Sequence, residues 1–251
     1  MIPAKEDSRD RSIAALRFTP RQQSFHPLRL FSGTSGQPLS RRNPERGQVI
    51  QLNVQAQGSR PRIGVLAIQG DYAAHAEALA ESGAEPVEVR KPDELATLDG
   101  LILPGGESTT ILRFLEKHNF FTILKDFCGS KPVFGTCAGA ILLAREVRNP
   151  AQLSLGALDA VVERNAYGRQ IDSTILTAET DLPGGPLEMV FIRAPRIIET
   201  GSGVKVLSRR DGSPTLVKQG PVMAATFHPE LSPDRRVHQL FVQTVKEARK
   251  Q

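Results

Sequence analysis

Among the residues able to make or break a covalent bond, Cys137 stands in the most constrained setting. A short apolar run, Val133-Phe134, leads into Gly135-Thr136-Cys137-Ala138-Gly139, and a helix-like stretch, Ala140-Ile141-Leu142-Leu143-Ala144, follows. That G-x-C-x-G spacing is the sequence form of a nucleophile elbow, with sulfur in place of the usual serine oxygen. So sharp a strand-to-helix turn strains the nucleophile's backbone and crowds its neighbours. Small residues at Gly135, Ala138 and Gly139 are what sterics demand. The helix that begins after Cys137 aims free N–H groups at the sulfur and favours a thiolate suited to acyl transfer. Most free cysteines are small buried hydrophobes; the glycine frame sets Cys137 apart. Cys128, in Lys125-Asp126-Phe127-Cys128-Gly129-Ser130, is the internal control. It reads as a structural residue near a helix end, without an elbow.

A cysteine nucleophile needs a base. The histidines are His26, His75, His118, His228 and His238. Only His228 has a catalytic context, in Ala224-Ala225-Thr226-Phe227-His228-Pro229-Glu230. Val222 to Phe227 is a short apolar run that reads as a buried strand. Pro229 forbids a helix there and favours an extended conformation at His228. Residues two apart in an extended chain share a face, so His228 and Glu230 can project into one site. The expectation is Cys137 as nucleophile, His228 as base and then acid, and Glu230 as the group that orients the imidazole. His75 and His118 fall on helical patterns and read as surface or packing residues. His238 lies in the last helix and His26 in the N-terminal tail. None of these four is assigned chemistry.

The elements that must hold this pair alternate from Arg62 onward. Ile63–Ile68 reads as a buried strand and Asp71–Ser82 as a helix stopped by Gly83. Pro86–Val89 and Leu101–Leu103 read as strands. Ser108–Lys117 reads as a helix with Ile111, Leu112 and Leu115 on one face and Ser108 as its N-cap. A second short helix carries Phe121 and Leu124, and Val133-Phe134 is the elbow strand. Such alternation implies an α/β fold with a mostly parallel central sheet flanked by helices. Leu158–Leu207 is rich in strand patterns and turns, and reads as a partly antiparallel extension. Val222–Phe227 returns to the sheet. The last helix opens with Ser232 as N-cap and Pro233 at its first position, and buries Val237, Leu240, Phe241 and Val245. Ligands in open sheets of this kind bind beyond the carboxyl ends of the strands. Both catalytic motifs stand at that edge.

With these motifs in hand, the chain resembles a class I glutamine amidotransferase domain. More narrowly, it resembles the glutaminase subunits of two-component pyridoxal 5′-phosphate synthases. The stretches that carry the likeness are Gly64–Gly70, Leu103–Thr110, Phe134–Gly139, Glu163–Gln170, Phe191–Pro195 and Phe227–Glu230. The cysteine elbow and His-Pro-Glu are common to many amidotransferases. Gly-Gly-Glu-Ser, Glu-Arg-Asn and Phe-Ile-Arg-Ala-Pro narrow the likeness to the synthase glutaminases. The resemblance implies hydrolysis of L-glutamine through a Cys137 thioester, with Ala138 and Gly106 as oxyanion donors. It implies a glutamine site made of Gly106, Glu107, Ser108, Arg164, Ile192 and Arg193. Within it, Glu107 is expected on the α-amino group and Arg164 on the α-carboxylate, since a guanidinium fork matches a carboxylate. Ile192-Arg193 is expected to contribute mainly through backbone groups. No cofactor and no metal are expected. The implied partner is a (β/α)₈ barrel synthase subunit that receives the ammonia. Asp71 departs from the small or apolar residue often found at its position; helix capping or partner contact are its two readings.

Composition bounds the rest. The chain has 251 residues and a formal net charge of +5. Residues 1–60 hold ten basic and four acidic residues, while the remainder holds 22 and 23. The positive balance therefore belongs to the tail, and no nucleic-acid partner is expected for the domain. Residues 1–61 are expected to be a basic, disordered extension, and residues 62–251 the amidotransferase domain. A mis-assigned start is the favoured explanation of the extension; a transit segment, against which Glu6, Asp7 and Asp10 weigh, and nucleic-acid binding by the basic tail are the others. No apolar run approaches the length of a membrane span. Two cysteines imply no disulfide framework and fit a reducing compartment, hence an expected cytoplasmic location. The alternatives are a glutaminase for a different synthase and a non-catalytic binding module on the same fold.

Overall fold

The computed structural model describes residues 59–165 and 173–250, leaving the side chain of His118 aside. In chain order the first half gives β1 (Arg62–Leu66), α1 (Tyr72–Glu81), β2 (Glu85–Val89), β3 (Gly100–Leu103), α2 (Ser108–Glu116), α3 (Phe120–Ser130), β4 (Val133–Thr136) and α4 (Ala138–Leu143). The second half gives β5 (Ala144–Arg148), β6 (Leu158–Glu163), β7 (Ser173–Ala178), β8 (Leu187–Ile192), β9 (Arg196–Thr200), β10 (Lys205–Arg210), β11 (Ser213–Gln219), β12 (Val222–Ala225) and α5 (Arg236–Ala248). The expected extension at residues 1–61 lies, apart from its last three residues, outside the described residues, and so does Ala166–Gln170 of the Glu163–Gln170 motif.

Among the described residues, seven strands form one sheet in the order β10-β11-β12-β4-β3-β1-β2. Pairing is parallel from β2 through β12, and β11 and β10 continue it antiparallel. Three further strands pair as β5-β6-β9 and two as β7-β8. This is the mostly parallel α/β sheet with a partly antiparallel extension that the pattern predicts. Strands β3, β4 and β12 are buried throughout, as both-face coverage in a parallel sheet requires.

Strand alternation sends side chains into two cores. Leu101, Leu103, Val133 and Ala224 face α2, α3 and α4 with Ile111, Leu115, Leu124 and Phe127. Ile102, Phe134, Met223 and Ala225 face α1 and α5 with Leu79, Val237, Phe241 and Val245. The carboxyl ends of β1, β3, β4 and β12 then deliver Asp71, Gly106, Cys137 and His228 to one pocket.

Several boundaries differ from the sequence reading. The N-cap of α2 is Glu107, whose carboxylate accepts from Thr109 N and Thr110 N, so Ser108 becomes the first helical residue. A carboxylate can span two orphan N–H groups where a serine hydroxyl reaches one. The last helix starts at Arg236, not after Ser232. Ser232 Oγ donates to Glu188 and accepts from Asp234 N, which holds Ser232 in the preceding turn. The stretch after the elbow is helical only to Leu143, and Ala144 already opens β5.

Candidate active site

The elbow exists because three backbone segments touch. Cys137 holds φ 48 and ψ −104, outside the ordinary helix and strand regions. Its N–H donates to Ala225 O at 2.8 Å, and its carbonyl accepts from Ile141 N at 3.3 Å. Strand β12 and helix α4 thus grip the strained residue from both sides. A Cβ at Gly139 would collide with the carbonyl of Leu103, and one at Gly135 would sit 2.5 Å from Gly139 backbone atoms. The glycine frame is therefore a packing requirement of β3, β4 and α4. Cys137 is free and 6 % exposed, with its sulfur 3.9 Å from Ile192 O.

His228 stands opposite, its N–H donating to Val190 O at 2.8 Å. Its Nδ1 lies 2.7 Å from Glu230 Oε1, and it lines the same pocket as Cys137. Burial disfavours the charged imidazole, but the neighbouring Cys137 and the hydrogen bond to Glu230 outweigh that and raise its pKa to about 10. Extended alternation does not bring Glu230 to His228. Strand β12 ends at Ala225, and Pro229–Leu231 is a single 3-10 turn that folds Glu230 back under the ring. Pro229 opens this tight turn as readily as it favours an extended residue before it. A Cβ at Gly105 would collide with the His228 ring, so this glycine after β3 clears room for that ring.

A pocket of about 260 Å³ opens over the sulfur. Its walls include Gly106, Glu107, Ser108, Arg164, Ile192, Arg193, Cys137 and His228. Ala138 is buried just behind the nucleophile. Gly106 holds φ +135, a conformation that suits glycine. Glu107 is partly desolvated, which alone would raise its pKa. Hydrogen bonds from Thr110 and Thr109 override this and bring it to about 2. Arg164 Nη2 lies 2.9 Å from Thr109 Oγ1 and 3.4 Å from Glu107 Oε1. The two charges expected to grip opposite ends of an amino acid therefore touch each other here. Ser108 Oγ donates to Gln152 Oε1 at 2.9 Å. Arg193 holds φ 47, a strained value for a residue with a side chain.

Asp71 sits at the N-cap of α1, but its side chain makes no capping bond. It lines the pocket, and its carboxylate comes within 4.8 Å of ligand atoms of His228 and Glu230. Among the described residues this is the one group of three donors close enough together to hold a cation. His228 and Glu230 already bond one another within it.

The sequence reading missed two residues. His75 and His238 are fully buried; His75 meets the far side of Glu230, and His238 stands behind His75 at 3.0 Å. His75 lies 3.3 Å from Glu230 Oε2. The available signal was their spacing: His75 precedes Ala78 and Leu79 by three and four residues on the buried stripe of α1, and His238 precedes Phe241 and Val242 likewise on that of α5.

A model of the SNO glutamine amidotransferase family matches residues 65–247. A relative named pyridoxal 5′-phosphate synthase subunit PdxT, from Koribacter versatilis (strain Ellin345), is 60% identical over 185 residues, covering 74% of this chain and 96% of its own. One of the same name from Solibacter usitatus (strain Ellin6076) is 52% identical over 187 residues, covering 72% and 97%. A solved structure described as a glutamine amidotransferase superposes with a TM-score of 0.69 at 46% identity, covering 73% of this chain and 98% of its own.

Proposed function

The chain belongs to the SNO glutamine amidotransferase family, and from that premise we propose that it hydrolyses L-glutamine to L-glutamate and ammonia as the glutaminase subunit of a pyridoxal 5′-phosphate synthase. The observation that carries this reading is that Cys137 and His228 line one pocket, with Glu230 Oε1 2.7 Å from Nδ1 of the His228 ring.

The Cys137 thiolate attacks the side-chain amide carbon of glutamine. Charge builds on the amide oxygen and is met by the N–H groups of Ala138 and Gly106. The His228 imidazolium gives its proton to the leaving nitrogen, and ammonia departs from a glutamyl thioester. His228, now neutral, takes a proton from water, whose oxygen attacks the thioester carbon. Glutamate leaves and the thiolate is restored. Glu107 draws the substrate's α-ammonium and Arg164 its α-carboxylate. The amino acid then inserts between two groups that bond each other in its absence.

Ammonia is largely protonated in neutral water, so it must pass directly to a synthase to stay reactive. We take the receiver to be a (β/α)₈ barrel subunit supplied in trans. A reducing compartment such as the cytoplasm keeps Cys137 reduced. Glutamine hydrolysis measured with and without the purified barrel subunit tests both halves. Activity is expected to rise on adding the barrel, and Cys137→Ser is expected to lose it in both assays. Equal wild-type rates would remove the dependence on a partner; no hydrolysis in either assay would sink the glutaminase reading.

A further inference from the structure

Two buried histidines that take no part in bond making stand behind Glu230. His75 comes from α1 and His238 from α5, and both are 0 % exposed. His75 Nδ1 lies 3.0 Å from His238 Nε2, and His75 Nε2 lies 3.1 Å from Thr136 Oγ1 and 3.3 Å from Glu230 Oε2. Phe134 meets both rings edge to face. The approach to Glu230 Oε2 is off the line of a well-formed hydrogen bond, and no other donor among the described residues reaches that oxygen. His238 Nδ1 has no hydrogen-bond partner there.

These contacts select one tautomer for each ring. If His75 carried its proton on Nδ1, its Nε2 lone pair would face the lone pairs of Glu230 Oε2. His238 would then hold its own proton on Nδ1, a buried N–H with no acceptor, which is costly. With both protons on Nε2, His238 donates to His75 Nδ1, and His75 donates toward Thr136 and Glu230. Only acceptors, His238 Nδ1 and Glu230 Oε2, are then left without a well-formed hydrogen bond. Burial, and after it the neighbouring His238 and His228, push the His75 pKa well below its ordinary value. Burial, and after it Arg235, bring His238 to about 3. The charged or titratable groups facing the pair are Glu230 and His228 from the turn after β12, Arg235 ahead of α5, and Asp71 ahead of α1.

We propose that His75 is a positioning residue for the hydrolytic reaction, its Nε2–H pinning the outer oxygen of Glu230 while His238 fixes the tautomer of His75. A carboxylate held by one oxygen rotates easily about its last torsion. With Oε1 on His228 and the His75 N–H facing Oε2 at 3.3 Å, rotation of the carboxyl plane is restricted, and with it the orientation of the His228 ring. Hydrogen bonds tie α5, α1 and the elbow strand into one line, His238 to His75 to Thr136, and His75 brings that line to 3.3 Å from Glu230 Oε2.

The inference rests on the glutaminase reading only for its activity arm, and a spectroscopic arm stands without it. Long-range ¹H–¹⁵N spectra of the full chain labelled on histidine nitrogen, assigned with His75→Gln and His238→Gln, report tautomer and charge. Both rings are expected to stay neutral with the proton on Nε2 from pH 5 to 9. A residue 75 ring protonated on Nδ1, or one that titrates in that range, overturns the proposal. In the activity arm, with barrel subunit present, His75→Gln keeps an N–H where Nε2 stood, whereas His75→Asn places its amide at Nδ1. His75→Gln is expected to stay within about threefold of wild type, and His75→Asn to lose about tenfold or more in kcat with KM little changed. The alkaline limb of the His75→Asn profile should also move to lower pH, as a loosened Glu230 no longer supports the imidazolium. Equal behaviour of the two variants overturns the positioning role, and the spectrum alone decides should either fail to fold. Correct tautomers in a chain without glutaminase activity would sink the function and leave the histidine line standing.

Discussion

At the scale of single residues, the proposed catalytic pair is an electrostatic unit. Burial disfavours the charged His228 ring, but the neighbouring Cys137 and the hydrogen bond to Glu230 outweigh it and raise its pKa to about 10. Through the neutral range it therefore stands as the acid that ammonia departure needs. Hydrolysis is expected to hold up through neutral pH and to fall as pH rises through about 10, where that proton is lost. A pH–rate profile of kcat checks this, and an alkaline limb near pH 7 would contradict it. Glu230→Gln keeps shape but loses the charge, so kcat should drop by roughly 10²- to 10⁴-fold with the limb shifted to lower pH.

At the scale of elements, the site depends on close approach between backbones. Gly139 lies against the Leu103 carbonyl, where no side chain fits. Gly139→Ala is expected to cost about 1–3 kcal/mol in denaturant unfolding, since backbone must shift to relieve the overlap. Gly129 in α3 meets nothing within 4 Å, so Gly129→Ala serves as the control. It should be neutral or stabilising by up to about 1 kcal/mol through helix propensity. Glu107 links element and site, as it both caps α2 and faces the pocket. Glu107→Ala should lose about 1 kcal/mol of stability with the cap and raise KM for glutamine through the lost anion. A variant with lowered stability and unchanged KM would confine Glu107 to capping.

At the scale of the whole molecule, the buried histidines set how stability responds to acid. The folded-state pKa of His238 lies at about 3, against an ordinary 6.5. Below pH 6.5 the unfolded chain binds a proton that the folded chain refuses, so stability falls as pH falls toward 3. At pH 5 that linkage amounts to about 2 kcal/mol for His238. His75 contributes in the same direction. The raised pKa of His228 acts oppositely: its contribution is complete below pH 6.5 and is lost as pH rises through about 10. Unfolding free energies at pH 7 and pH 5 should differ less in His238→Gln than in wild type. An unchanged difference would mean that His238 is not buried neutral.

The sequence alone offered Cys137, His228 and Glu230 as nucleophile, base and orienting carboxylate, and it carried the strand–helix alternation that holds them. Each is encoded locally: the glycine frame of Gly135-Thr136-Cys137-Ala138-Gly139, the strand that ends before His228-Pro229-Glu230, and short apolar runs of parallel-sheet character. Tertiary structure decided what lies between segments far apart in the chain. Capping of α2 went to Glu107 because its carboxylate reaches two N–H groups at once, a choice that spacing does not reveal. Glu107 and Arg164 face each other only because β6 ends beside the turn after β3. His75 and His238 read as ordinary helix residues, since nothing in α1 or α5 announces that their faces converge on Glu230. Their pairing is 163 residues long in sequence and 3.0 Å long in space, and only the packing of two helices on one face of the sheet creates it.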